Sequence, residues 1–247
     1  MAKRVWVNTV ILFKGFISFL IFLCTSQLFT LLILVPFSLS HNRPSTIYSR
    51  LLRAYAAFIT KTHFNIKFIH IGYDKQKFAT PALIACNHQS LIDAPLVISF
   101  SSKMRVINNN WHANAGAKFF LVKYIRFFPI DMGKDALVEA LRPSIEIGCP
   151  VLIFPEGVYS TNNIGRFHKG GFYIAEKLKI DIQPVVIHYS ENVIKRKWFY
   201  LKNGTATIIY LDRVKYGSPE YGENYQVLTR NVADLMRIEY QKMAGDK

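Results

Sequence analysis

A histidine and an aspartate five residues apart, His88 and Asp93, stand in the run Asn87-His88-Gln89-Ser90-Leu91-Ile92-Asp93. An imidazole paired with a carboxylate is suited to general base catalysis. The carboxylate fixes the ring tautomer and supports the imidazolium, leaving the other nitrogen to take a proton from a hydroxyl. On one straight helix of 3.6 residues per turn the two side chains would diverge by about 140°. The pair must therefore straddle a turn, with His88 in a loop and Asp93 in the first turn of a helix. The same letters also admit a plainer reading: Ser90 and Asp93 form an S-x-x-D capping box, and His88 would then only bond a loop carbonyl.

The elements that must position this pair alternate along the chain. Short apolar or alternating runs predict strands at 66–71, 82–86, 104–107, 151–154, 182–187 and 206–211. Helical patterns predict helices at 90–100, 135–147, 170–179 and 223–243. The expected fold class is α/β, a central largely parallel sheet flanked by helices, with an N-terminal membrane-embedded helical segment. Ligands of open α/β sheets gather outside the carboxyl ends of the strands. Asn87-His88-Gln89-Ser90 follows one such strand, and Pro155-Glu156-Gly157 follows another.

The N-terminal expectation comes from the residues at 15–40, which include no charged side chain and are nearly all apolar or small. About 20 residues suffice to cross a hydrocarbon core. Basic residues flank the tract on both sides, Lys3, Arg4 and Lys14 before it and Arg43, Arg50, Arg53 and Lys61 after it. That symmetry suits a hairpin dipping into one leaflet, with Pro36 ending or kinking its first arm. Residues 47–63 then place Ile47, Leu51, Tyr55, Phe58 and Ile59 at helical spacing, the pattern of an interfacial or core-packed helix. The expected division is residues 1–63 as membrane-anchoring helices and 64–247 as the catalytic domain.

Lys and Arg number 31 against 16 Asp and Glu, a formal charge of +15, so the partner is anionic. Beside the apolar tract, membrane lipid is expected rather than nucleic acid. Tyr189, Trp198, Phe199 and Tyr200, with Lys195, Arg196 and Lys197, are read in the same way as interfacial anchors. Cys24, Cys86 and Cys149 lack paired spacing, and His168 and His188 lack a metal-ligand pattern, so neither a metal nor a disulfide framework is expected.

Residues 65–190 resemble the glycerolipid acyltransferase family, whose best-known members are the 1-acyl-sn-glycerol-3-phosphate acyltransferases. The N-H-x-S-x-x-D block matches at Asn87, His88, Ser90 and Asp93, and the F-P-E-G block at Phe154, Pro155, Glu156 and Gly157. Phe167 and Lys169 to Gly171, with Pro184 and Val185, resemble further family landmarks. The resemblance implies a membrane-bound enzyme on the cytoplasmic face that needs no cofactor. Acyl-CoA or acyl carrier protein would be the co-substrate and a lysophospholipid hydroxyl the acceptor. His88 would be the base and Asp93 its orienter, with Ser90 as nucleophile a minor alternative. Glu156 and Gly157 would inherit a part in holding the acceptor head group. Glycine suits that part because backbone N–H groups can approach a phosphate beside it, whereas Glu156 would receive a glycerol hydroxyl, orient a basic neighbour or anchor the loop.

Two departures bear on the acceptor. Val158-Tyr159-Ser160 stands where the family has Thr-Arg-Ser, and Met132 replaces a second family arginine. Lys134, Arg166 and Lys169 are cations in the same segments that can serve a phosphate as point charges. Tyr159 would also suit an acceptor without phosphate, such as an amino-acid lipid or an aryl polyene-type lipid. A noncatalytic lipid-binding module is the reading from a different class.

Overall fold

The computed structural model describes residues 13, 16, 17, 20, 21, 24, 25, 28, 45–62, 66–90, 92–108, 127–160, 163–190 and 204–245. They fall into two compact units. The first comprises Met1–Phe68, Ser90–Ser102 and Tyr189–Ala206, and the second Ile69–Gln89, Lys103–His188 and Thr207–Lys247.

In the first unit, α1 (Ser45–Thr62) packs against α2 (Asp93–Ile98). Ala56 and Thr60 of α1 are buried, and the Thr60 hydroxyl returns to the Ala56 carbonyl at 2.9 Å. Arg53 is exposed and still makes a specific bond. Its Nε donates to the Ser99 carbonyl at 2.8 Å, where the end of α2 leaves carbonyls unpaired and favours a cation. α2 begins later than the expected 90–100. A helix from residue 90 would carry Pro95 in its interior, whereas a start at Asp93 leaves Pro95 in the first turn, where no N–H is needed.

Of the apolar tract at 15–40, residues 16, 17, 20, 21, 24, 25 and 28 are described, and they are helical. Phe16, Leu20 and Leu28 among them are exposed. Among the described residues no helix is long and apolar enough to cross a membrane. Pro36 and the rest of that tract, and the aromatic and basic cluster at 195–200, lie outside the described residues.

The second unit holds most of a seven-stranded sheet. Its strands are β1 (Ile66–Ile71), β2 (Ala82–Cys86), β3 (Arg105–Asn108), β4 (Phe127–Pro129), β5 (Val151–Ile153), β6 (Asp181–Tyr189) and β7 (Gly204–Tyr210), in the order β1-β7-β6-β2-β5-β3-β4. β2 pairs in parallel with both β5 and β6, and β3 in parallel with both β4 and β5. The expected largely parallel sheet is thus present, with β1 and β2 at the expected bounds, the ends of the other expected strands displaced by at most two residues, and β4 added. Every residue of β2 and β5 is buried, which is why these strands read as unbroken apolar runs rather than alternating ones.

Three helices cover this sheet: α3 (Lys134–Glu146), α4 (Gly170–Leu178) and α5 (Tyr225–Gly245), with α3 packed on α4 and α4 on α5. Leu228, Val232, Met236 and Tyr240 form a buried stripe along α5 at four-residue spacing. α4 meets β5 at closest approach through Gly171, where a Cβ would lie 2.5 Å from Ile153 Cδ1. Gly171→Val should therefore overpack this contact and destabilise the protein by about 1–3 kcal/mol. An unchanged denaturant midpoint in that variant would refute the packing argument.

Candidate active site

β2 ends because a side chain takes over its ladder. The Asn87 amide donates through Nδ2 to the Ile187 carbonyl at 2.8 Å, and its Oδ1 accepts the Ile187 N–H at 2.7 Å. With the amide paired to β6 in this way, the main chain is free to turn away at His88.

The segment after β5 holds His88 from several sides. The His88 N–H donates to Glu156 Oε1 at 2.9 Å, and the His88 carbonyl accepts the Ser160 N–H at 2.8 Å. Two aromatic rings pack against the imidazole. Phe154 stacks on it with centroids 4.1 Å apart and planes at 19°, and Tyr159 approaches to 4.1 Å at 44°. Phe154, Pro155, Glu156 and Gly157 form a turn closed by the Gly157 N–H on the Phe154 carbonyl at 3.0 Å. Gly157 has a φ of +67°, a conformation that favours glycine.

Glu156 is 3% exposed, and both its oxygens receive backbone donors. Oε1 takes the His88 N–H, and Oε2 takes the Gly165 N–H at 2.7 Å. Of the roles open to this carboxylate, anchoring the loop is the one its bonds describe. Gly165 has little room for anything else, since a Cβ there would lie 3.1 Å from Glu156 Oε2.

Asp93 belongs to the first unit and is completely buried. Its Oδ2 accepts the Ser90 N–H at 2.8 Å, which is one half of the capping box. The Ser90 hydroxyl instead faces the Ile92 N–H at 3.4 Å. Asp93 Oδ1 accepts the Tyr189 hydroxyl at 2.6 Å. Tyr189 is therefore not the interfacial anchor expected from its aromatic surroundings. It sits at the end of β6, buried, with its hydroxyl spent on a carboxylate.

The expected phosphate cations are placed differently from one another. Lys134 follows Gly133 at the start of α3, and its Nζ lies 4.3 Å above the Tyr173 ring. Arg166 and Lys169 are exposed on the segment leading into α4, where Lys169 is the capping residue. His168 between them is exposed too, and its N–H donates to the Pro155 carbonyl at 2.7 Å. Met132 is exposed in a short 3-10 turn. Among the described residues no group of three or more His, Cys, Asp or Glu side chains is arranged to hold a metal ion.

Gln89 gave no sign of a role in the sequence. It is buried, and its Nε2 donates to the Tyr240 hydroxyl at 2.6 Å. Burial pushes the Tyr240 phenol above its ordinary range, the Gln89 hydrogen bond opposes that shift, and the Glu156 charge adds to it. An apolar stripe that ends on a tyrosine looks like ordinary core, so only coordinates could reveal this contact.

The model of the Acyltransferase family matches residues 67–188, the stretch that carries both loops. Over these residues the chain is similar to the acyltransferase family. The chain is 28% identical over 184 residues to the acl-2 protein of Caenorhabditis elegans, covering 70% of this chain and 64% of that one. It is 24% identical over 196 residues to a 1-acyl-sn-glycerol-3-phosphate acyltransferase of Cocos nucifera, covering 75% and 60%. With the corresponding enzyme of Helicobacter pylori strain J99 it shares 26% over 202 residues, covering 77% and 79%. The match thus spans under two thirds of the length of the first two relatives. The crystal structure of the 1-acyl-sn-glycerophosphate acyltransferase PlsC from Thermotoga maritima has the same fold, with a TM-score of 0.74 at 16% identity, covering 94% of this chain and 97% of that one.

Two substitutions test these local geometries. Glu156→Gln keeps one acceptor but turns an amide NH2 toward a backbone N–H. It should cost about 1.5–3 kcal/mol in unfolding free energy, and wild-type stability would contradict the double-acceptor role. Tyr189→Phe removes a donor from a buried carboxylate and should cost about 1–3 kcal/mol in the same measurement. No loss there would mean that the hydroxyl does not hold Asp93.

Proposed function

We propose that the chain is a membrane-bound O-acyltransferase that moves a fatty acyl group from acyl-CoA or acyl carrier protein to the free hydroxyl of a lysophospholipid, in phospholipid biosynthesis. One observation carries the reading: His88, in a loop at the carboxyl end of a parallel strand, has its backbone bonded at both N–H and carbonyl and its ring packed against Phe154 and Tyr159. Such fixing is what a general base needs, because its rate advantage depends on holding the ring within reach of the hydroxyl.

In the proposed step one ring nitrogen of His88 takes the acceptor's hydroxyl proton as the oxygen attacks the thioester carbonyl. A C–O bond forms, the C–S bond breaks, and the departing thiolate takes the proton back from the imidazolium. Asp93, held by Ser90 and Tyr189, is assigned the orienting role. Glu156 shapes the loop, and Gly157 leaves its backbone open to the head group. Lys134, Arg166 and Lys169 supply positive charge for a phosphate. Exposed Phe13, Phe16 and Leu28 support attachment to lipid through residues 1–63, with residues 64–247 at the cytoplasmic face.

Lysophosphatidic acid is the first acceptor to test, because the relatives from Cocos nucifera and Helicobacter pylori bear the name of that activity. A second reading, with an acceptor lacking phosphate, is favoured by Tyr159, which lays a phenol ring on His88 where the family resemblance places a guanidinium.

His88→Ala should lower acyl transfer at least about a hundredfold, and near-normal turnover in that variant would remove His88 from the chemistry. The same assay, run with lysophosphatidic acid and monoacylglycerol in competition, decides between the two acceptors. Binding of lysolipid without turnover of any acceptor by the wild-type chain would instead identify a noncatalytic lipid-binding module.

A further inference from the structure

The His88 loop is tied to a helix that lies beyond the residues matching the family. α5 begins at Tyr225, while the family match ends at 188. From two positions one turn apart, α5 reaches both segments that fix His88. Arg237 Nη2 donates to the Gly165 carbonyl at 2.8 Å, and its Nε donates to the Ile164 carbonyl at 3.3 Å. Tyr240 accepts Gln89 Nε2 at 2.6 Å, and its ring meets His188 edge-on at 5.2 Å.

These bonds close a ring. From Arg237 it runs to Gly165, from the Gly165 N–H to Glu156, from Glu156 to the His88 N–H, along the chain to Gln89, and from Gln89 to Tyr240. Every member belongs to the second unit, and Glu156, Gln89 and Tyr240 are buried. Met236 and Val232 seat the same helix in the core, so it is a rigid support. Arg237 is itself steadied by Asp234 at 3.0 Å.

We propose that Arg237 and Tyr240 are positioning residues for His88, making the C-terminal helix part of the apparatus that sets the general base. The proposal rests on the reading of His88 as that base. Breaking the ring at either residue frees one end of the loop without touching the substrates. Because both residues act through the same closed path, their effects are not independent.

The test uses the full chain and the variants Tyr240→Phe, Arg237→Met, their double, and Arg237→Lys. Tyr240→Phe keeps the ring against His188 and deletes only the hydroxyl. Each of Tyr240→Phe and Arg237→Met should lower kcat roughly tenfold, while KM for donor and acceptor stays within about twofold. The double variant should lose less than the product of the two. Arg237→Lys, which keeps a donor for Gly165, should recover part of the loss. Lys242→Gln on the exposed face of α5 is the control and should leave kcat unchanged.

In histidine-labelled protein, the His88 ring resonances should move in both single variants, and the His88 amide should exchange faster with solvent. Wild-type kcat per folded molecule together with unmoved His88 signals in Tyr240→Phe and Arg237→Met would overturn the proposal. If the wild-type chain transfers no acyl group, the catalytic reading fails. The resonances still decide whether α5 sets the geometry of His88.

Discussion

Glu156 is a carboxylate with almost no access to water, and a group of that kind can stay buried only where donors replace its hydration. Its donors are the backbone N–H groups of His88 and Gly165, from two loops that are far apart in sequence. Because a backbone N–H cannot be repositioned by a rotamer change, satisfying the carboxylate fixes the paths of both loops together. The tight turn at Gly157, the Ser160 N–H on the His88 carbonyl and the reach of Arg237 to Gly165 all presuppose this arrangement. The negative charge is thus spent on architecture, so contact with an acceptor is left to the groups around it.

How much of this was legible in the letters differs by residue. β2 and β5 could be read because parallel strands buried on both faces are written as continuous apolar runs. The placement of His88 and Phe154 just beyond those strands followed. The start of α2 was misread by three residues, since the capping signal at Ser90 drew attention from Pro95, whose missing N–H rules out a helix interior. Tyr189 was misjudged for a different reason: the basic and aromatic residues that follow it suggest a lipid interface, whereas its place on a strand turns its hydroxyl to Asp93. Gln89 and Tyr240 are separated by 151 positions, and no local pattern announces a contact between a polar side chain in a loop and the last residue of an apolar helical stripe.

The surroundings of His88 are more apolar than the charge of the whole chain suggests. With a formal charge of +15, cations are plentiful, yet Phe154 and Tyr159 cover the ring while Lys134 rests on Tyr173 and Lys169 caps α4. Under the proposed function, electrostatic attraction of an anionic surface and local handling of the reacting hydroxyl are therefore separate tasks. The first depends on net charge and falls with salt. The second depends on packing, which salt leaves largely alone.

The two aromatic faces against His88 also decide how the imidazole can exchange its nitrogens. Turning the ring over about χ2 has to move its edges past Phe154 and Tyr159, both at 4.1 Å. Reorientation of the imidazole therefore waits on movement of its aromatic neighbours, which ties the exchange of its two nitrogens to the breathing of the segment after β5.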